Sequence, residues 1–176
     1  LKPVLKRLLK SQHFFDDLNI GAQIKSPAET VIGMLKHLKY PDRWARNIMS
    51  TLGLELFNPP NVAGWKGYRS WISTKTLPTT IYYIKEIINN NTNTELADWA
   101  LSIEASGDVH ILTERFVELF LARPVSEERF KKFKNTFLGG APDYEWYEII
   151  KNKEQAGQRV RGFLFEIIKA PEYFLF

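Results

Sequence analysis

The sequence predicts an all-α fold, an irregular bundle of about eight helices joined by one long loop rich in aromatic residues, proline and glycine. Three observations carry this. Apolar residues recur three and four positions apart through most of the chain. No segment sustains the period-two alternation of a half-buried strand. Helix starts and stops are written in Ser, Thr, Pro and Gly at the positions where caps belong.

In the first segment Val4, Leu5, Leu8 and Leu9 form one apolar stripe, opposed by Lys2, Lys6, Arg7 and Lys10. The stripe continues to Phe14 and Phe15 and breaks at Asp16-Asp17 and Gly21. Ser26, Pro27 and Glu29 supply the N-cap, first-turn proline and capping box of a second helix, with Val31, Ile32, Leu35 and Leu38 as its expected buried face. Pro41 ends it and opens a third, on which Trp44, Ile48, Thr51 and Leu52 are expected to share a face. The loop Leu52–Trp71 follows. Ser70 is the expected cap of the next helix, whose Leu77, Ile81, Ile84 and Ile88 fall on one side, with a kink or break expected at Pro78. The polar run 89–93 interrupts the pattern, and any subdivision of an otherwise single domain, 1–176, is expected near 89–94. Thr94 is read as capping a helix with Leu96, Trp99, Ala100 and Ile103 inside. After a turn at 106–108 comes a helix bearing Leu112, Phe116, Leu119 and Phe120. Ser126 opens one with Phe130, Phe133 and Phe137 inward, stopped by Gly139-Gly140. A short helix around Trp146 and Ile150 precedes the last, with Val160, Phe163, Leu164, Ile167 and Ile168 on its core side.

At 176 residues, 44% hydrophobic and 14% aromatic, the chain has enough apolar mass for a substantial core. It has no cysteine, which excludes disulfides, thiolate metal sites and a cysteine nucleophile. The net charge of +4 is concentrated in residues 1–60, with nine Lys/Arg against five Asp/Glu. No basic stripe interleaved with aromatics accompanies it, so nucleic acid is not expected as a partner. No run is long and apolar enough for a transmembrane segment. The chain opens at Leu1, inside an amphipathic pattern, and reads as a fragment of a longer protein.

Chemistry-bearing motifs are missing. There is no phosphate-binding glycine loop, dinucleotide fingerprint, H-E-x-x-H or G-x-S-x-G, so no cofactor, metal site or catalytic residue is assigned. His13, His37 and His110 are dispersed. Asp16-Asp17 fits a turn, and Glu127-Glu128 fits the positive end of a helix dipole.

The loop holds the candidate binding residues: Asn58, Asn61, Trp65, Tyr68, Arg69 and Trp71. Pro59-Pro60 stiffens it, and Gly64 and Gly67 permit turns. Two readings compete. In one, the aromatics plug a gap between two groups of helices and the asparagines satisfy the loop's own polar groups. In the other, the tryptophans and Tyr68 form a stacking floor for a glycan. A third reading makes Asn58, Asn61 and Arg69 polar contributors to an enzyme site completed by residues outside this chain. A structural or partner-docking domain predicts buried Trp65 and Trp71 and an exposed apolar patch on the N-terminal side.

The run L-F-N-P-P-N-V-A-G-W, followed by Arg69-Ser70-Trp71-Ile72, resembles the signature of a large bacterial family, the domain of unknown function number eighteen hundred. Ser11–Phe15 with Lys25–Glu29 upstream, and R-V-R-G-F-L-F-E-I-I-K-A-P-E-Y-F downstream, extend the likeness along the chain. The resemblance implies an exported protein, periplasmic or on the cell surface or secreted. It also implies an exported sulfatase-like protein as a partner, encoded nearby. It defines no catalytic residues. One internal echo is present: R-L-L-K-S-Q-H-F-F at Arg7–Phe15 is similar to E-I-I-K-A-P-E-Y-F at Glu166–Phe174. It is read either as two helix stops whose aromatics fold onto the core or as a diverged repeat.

Overall fold

A computed structural model describes residues 1–176, the side chain of Asp42 excepted. Among the described residues there are nine α-helices and no strand: α1 (Lys2–Leu9), α2 (Pro27–Leu35), α3 (Asp42–Thr51), α4 (Thr76–Asn89), α5 (Asn93–Leu101), α6 (Val109–Phe120), α7 (Glu127–Leu138), α8 (Trp146–Ile149) and α9 (Lys153–Ile167). Short 3₁₀ turns follow α1, at Gln12–Phe15, and α9, at Pro171–Phe174. The expected all-α bundle is what the chain forms.

Helix α9 is the axis, packed between α5 and α7 with α4 and α8 alongside. Its expected face is buried at every position, Val160, Phe163, Leu164, Ile167 and Ile168. Phe163 stacks on Phe137 of α7 with ring centroids 4.4 Å apart, and Phe116 of α6 meets both edge-on. Trp146 is buried beside them and donates its indole N–H to Ser106 O at 2.9 Å, which removes the cost of burying that donor. Helix α5 meets α9 at Gly157, where an added Cβ would lie 1.8 Å from Asn93 O, so only glycine admits this approach. Helices α2 and α3 pack on each other, and α2 also packs on α4.

Polar side chains tie the pieces together. Asn91 is buried but fully used. It donates to Lys39 O (3.0 Å) and Ile87 O (2.9 Å) and accepts from Lys39 N (3.0 Å). Arg161 reaches from α9 to Ile88 O, Asn91 O and Asn93 Oδ1, filling the carbonyls where α4 ends. The C-terminal tail pairs with the segment before α2 through Lys25 N to Phe174 O (2.8 Å) and the reciprocal bonds of Gln23 and Phe176.

Several helix faces differ from the sequence expectation. On α2 and just beyond it Val31 and Leu38 are buried as expected and Leu35 is half-buried, but Met34 is buried in place of Ile32, which is exposed. In α3 the face is rotated by one position: Ala45, Ile48, Met49 and Leu52 are buried, and Trp44 and Thr51 point outward. Leu119 of α6 is exposed, with Val117 inside instead. Ser70 does not cap α4. It lies in a 3₁₀ turn, Tyr68–Trp71, and the start of α4 is held by Ser73, whose hydroxyl accepts from Thr76 N at 3.0 Å. Pro78 produces no break because it falls in the first turn, where its missing N–H needs no partner. Helix α5 is capped by Thr92, not Thr94. Thr92 forms a capping box with Glu95, its hydroxyl accepting from Glu95 N at 3.2 Å. The Ser26–Glu29 box, the Ser126 cap and the left-handed stop at Gly139 (φ 62°) stand as expected.

Candidate functional site

Two surfaces carry unusual exposed groups: the loop Leu52–Ser73 and the N-terminal unit of α1 with its 3₁₀ turn. The loop is shaped by turns that strain or favour particular residues. Gly53 and Gly64 take φ of 84° each. Phe57 and Tyr68 adopt φ of 64° and 55°, a region side-chain-bearing residues enter at a cost of order 1 kcal/mol. Phe57 and Val62 stand wholly in solvent, and Tyr68 is exposed as well.

The asparagines serve the loop itself. Asn61 Oδ1 accepts from Ala63 N at 2.9 Å, closing a tight turn, and Asn58 Nδ2 donates to Glu55 at 3.0 Å. Arg69 is exposed, with its guanidinium 5.8 Å from the Tyr68 ring centroid. Trp71 is half-buried, and its carbonyl accepts from the Thr76 hydroxyl at 3.0 Å. Trp65 is half-buried too, yet its indole N–H is sealed from solvent and has no acceptor. Neither tryptophan joins the central hydrophobic cluster. The expected plug between helix groups is therefore absent from the core. Arg69 and Tyr68 are brought together; Asn58 and Asn61 are each engaged within the loop.

The second surface matches the apolar patch expected on the N-terminal side. No residue of α1 is buried. Val4, Leu5, Leu8 and Leu9 are exposed on one side of the helix, and Phe14 and Phe15 are exposed on the 3₁₀ turn. Beyond its aromatics the unit is held to the body by Arg123, which donates to Asp17 O and packs on Gly21.

Electrostatics add little chemistry. Lys25 lies 4.9 Å from the Tyr173 ring centroid and donates to Tyr173 O (2.8 Å) and Phe120 O (3.3 Å), and burial lowers its pKa. Burial raises the pKa of Tyr173 and lowers that of His37, which sits against Trp99 and Phe120. Among the described residues no three His, Asp or Glu side chains converge as a metal site, and no helix is long and apolar enough to cross a membrane. A cleft of about 360 Å³ between α7 and the C-terminal turn is lined by Arg129, Lys132, Glu166 and Lys169, charges that pair with one another or with Glu172.

A family model described as "Protein of unknown function (DUF1800)" matches residues 1–175. The chain belongs to this family. No curated protein and no solved structure matches it. The match takes in α1, the aromatic loop and α9 together, so both exposed surfaces are parts of the DUF1800 domain rather than additions to it.

Proposed function

We propose that this DUF1800 domain is a noncatalytic helical docking domain of an exported bacterial protein. It presents the apolar face of α1 and the following 3₁₀ turn to a protein surface. One observation carries the reading: six large apolar side chains, Val4, Leu5, Leu8, Leu9, Phe14 and Phe15, are exposed on a single unit that contributes nothing to the domain's own core. Burying one such side chain stabilises by about 1.5–3 kcal/mol, so the face is a strong contact surface and a liability if left in water. The export and the sulfatase-like partner are supported by the family resemblance. Hydrogen exchange tests the docking. Amides of α1 should exchange rapidly in residues 1–176 alone and at least about tenfold more slowly in the native envelope assembly. Equally rapid exchange in both would sink the reading.

A glycan-binding role for the loop is a second reading, favoured by the exposed Tyr68 ring beside Arg69 and by the Trp65 indole N–H that lacks an acceptor. Titration of tryptophan fluorescence with envelope polysaccharides tests it. A saturable change abolished by Tyr68→Ala supports it; no change with any polysaccharide opposes it.

A further inference from the structure

We propose that two copies of this chain pair by exchanging their N-terminal units, the apolar face of α1 from each copy seating in an acid-rimmed groove between α6 and α7 of the other. This rests on the docking reading and names its partner as a second copy.

The groove encloses about 580 Å³. Val117, Leu121, Val125 and Phe130 give it an apolar floor. Carboxylates stand on both walls: Glu114 and Glu118, one turn apart on α6, and Glu127 in the first turn of α7. All three are exposed. Each pairs within its own helix, Glu114 with His110 (3.4 Å), Glu118 with Arg115 (3.0 Å) and Glu127 with Lys131 (2.7 Å). Exposed pairs at this spacing are weak, so the carboxylates can accept a second cation. Arg123, the cation of the lining, is already committed to Asp17 O.

Helix α1 complements this groove in shape of pattern and in charge. Its stripe of Val4, Leu5, Leu8 and Leu9 is exposed. At about 100° per residue, Lys2 and Arg7 border that stripe on opposite sides, and the helix carries no carboxylate. Seated apolar face down, it lays one cation along each acidic wall. Of the two aromatic pairs expected to fold onto the core, Tyr173-Phe174 is buried and Phe14-Phe15 is exposed, so the latter enters the groove region with α1.

Arg123 connects the two surfaces. It lines the groove, and it also holds the chain just beyond α1 through Asp17 O and Gly21. The root of the N-terminal unit therefore stands beside the groove, yet in the single chain α1 buries nothing and the groove is open. Two copies related by a two-fold axis near Arg123 fill both grooves at once, and the pair closes. Direct α1-to-α1 packing would set Lys2, Lys6 and Arg7 against their copies. An anionic membrane would match α1 but repel the carboxylates of the neighbouring groove. Each contact is one eight-residue helix in one groove, so the pair is weak, with a dissociation constant on the order of 100 µM. In dilute solution the chain is single and α1 exchanges rapidly.

Sedimentation equilibrium of residues 1–176 from about 5 µM to about 1 mM tests the pairing. The weight-average mass should rise from that of one chain toward that of two. Leu8→Glu should weaken the association at least about tenfold. So should Glu114→Lys with Glu118→Lys, and so should Lys2→Glu with Arg7→Glu, all at exposed positions that leave the core untouched. The deciding sample mixes these last two variants. Reversed charge on α1 of one then meets reversed charge in the groove of the other, in both directions. The mixture should pair about as tightly as the parent, although neither variant pairs alone. A mixture that stays single overturns the inference, as does a parent that stays single throughout. Protection of α1 that does not change with concentration would place the helix in its own groove. Binding to phosphatidylglycerol vesicles that Leu8→Glu abolishes, with the mass staying single, would assign it to a membrane. Either result overturns the pairing. The docking reading is judged separately: it falls only if α1 exchanges as rapidly in the native assembly as in the dilute chain.

Discussion

Gly157→Ala is the sharpest probe of how the helical layer is built. The new Cβ would lie 1.8 Å from Asn93 O, 2.3 Å from its carbonyl carbon and 2.6 Å from its Cα. All three are main-chain atoms at the start of α5, so no side-chain rotation relieves them. Reaching ordinary contact at 3.4 Å requires α5 and α9 to part by about 1.6 Å. That movement stretches Arg161 Nε to Asn93 Oδ1 (3.0 Å) and the bond from Asn93 to Glu154. Alanine gains about 1 kcal/mol of helix propensity over glycine. Overpacking costs about 1–3 kcal/mol or more, and loosening the half-buried Arg161 clamp adds about 1–2 kcal/mol. The net destabilisation is about 1–4 kcal/mol, or roughly 3–12 °C in a chain of this size. Urea and thermal unfolding followed by circular dichroism measure it. Gly33→Ala in α2 is the control: nothing lies within 4 Å of its added Cβ. It should stabilise by about 0.5–1 kcal/mol. A Gly157→Ala variant as stable as the Gly33→Ala variant would refute the packing of α5 on α9.

Thr92→Ala should cost about 1 kcal/mol and Thr94→Ala less than half of that, measured by urea unfolding; the reverse order would contradict the capping box. His37 gives a pH dependence. Burial, with Lys36 second, holds its folded pKa below the ordinary 6.5, so its neutral form is favoured by folding. The stability it contributes is present above pH 6.5 and is lost as pH falls through the folded pKa. Between pH 7.5 and 5.5 the unfolding midpoint of the parent chain should therefore fall more than that of His37→Gln. Parallel slopes would remove the histidine from the account.

What was legible in the sequence was local. The Ser26–Glu29 box, the Ser126 cap, the Gly139 stop and the face of α9 all depend on residues within two turns of one another. The Thr92 cap was legible too, since Thr92 and Glu95 have capping-box spacing; Thr94, nearer the first apolar residue, drew the assignment away. Trp44 lies outside the buried face of α3. Large aromatics suggest burial, but Ala45, Ile48, Met49 and Leu52 complete the better helical stripe, leaving Trp44 outside. The loop showed its turns and composition but not its packing. Whether Trp65 and Trp71 reach the core depends on how α2 and α3 pack with α4, which no local pattern encodes. The stripe on α1 was plain, and its exposure is what the docking reading expects of the N-terminal side.

The absence of cysteine allows a direct test of the central claim. A Leu8→Cys variant carries a single thiol on the exposed face, and an Ile168→Cys variant places one at a fully buried position at the C-terminal end of α9. In residues 1–176 alone, a maleimide should label the first rapidly and the second only on unfolding. If α1 is a docking surface, labelling at position 8 slows by at least about tenfold in the native assembly, approaching the protection at position 168. Equal, rapid labelling at position 8 in both settings would contradict the claim.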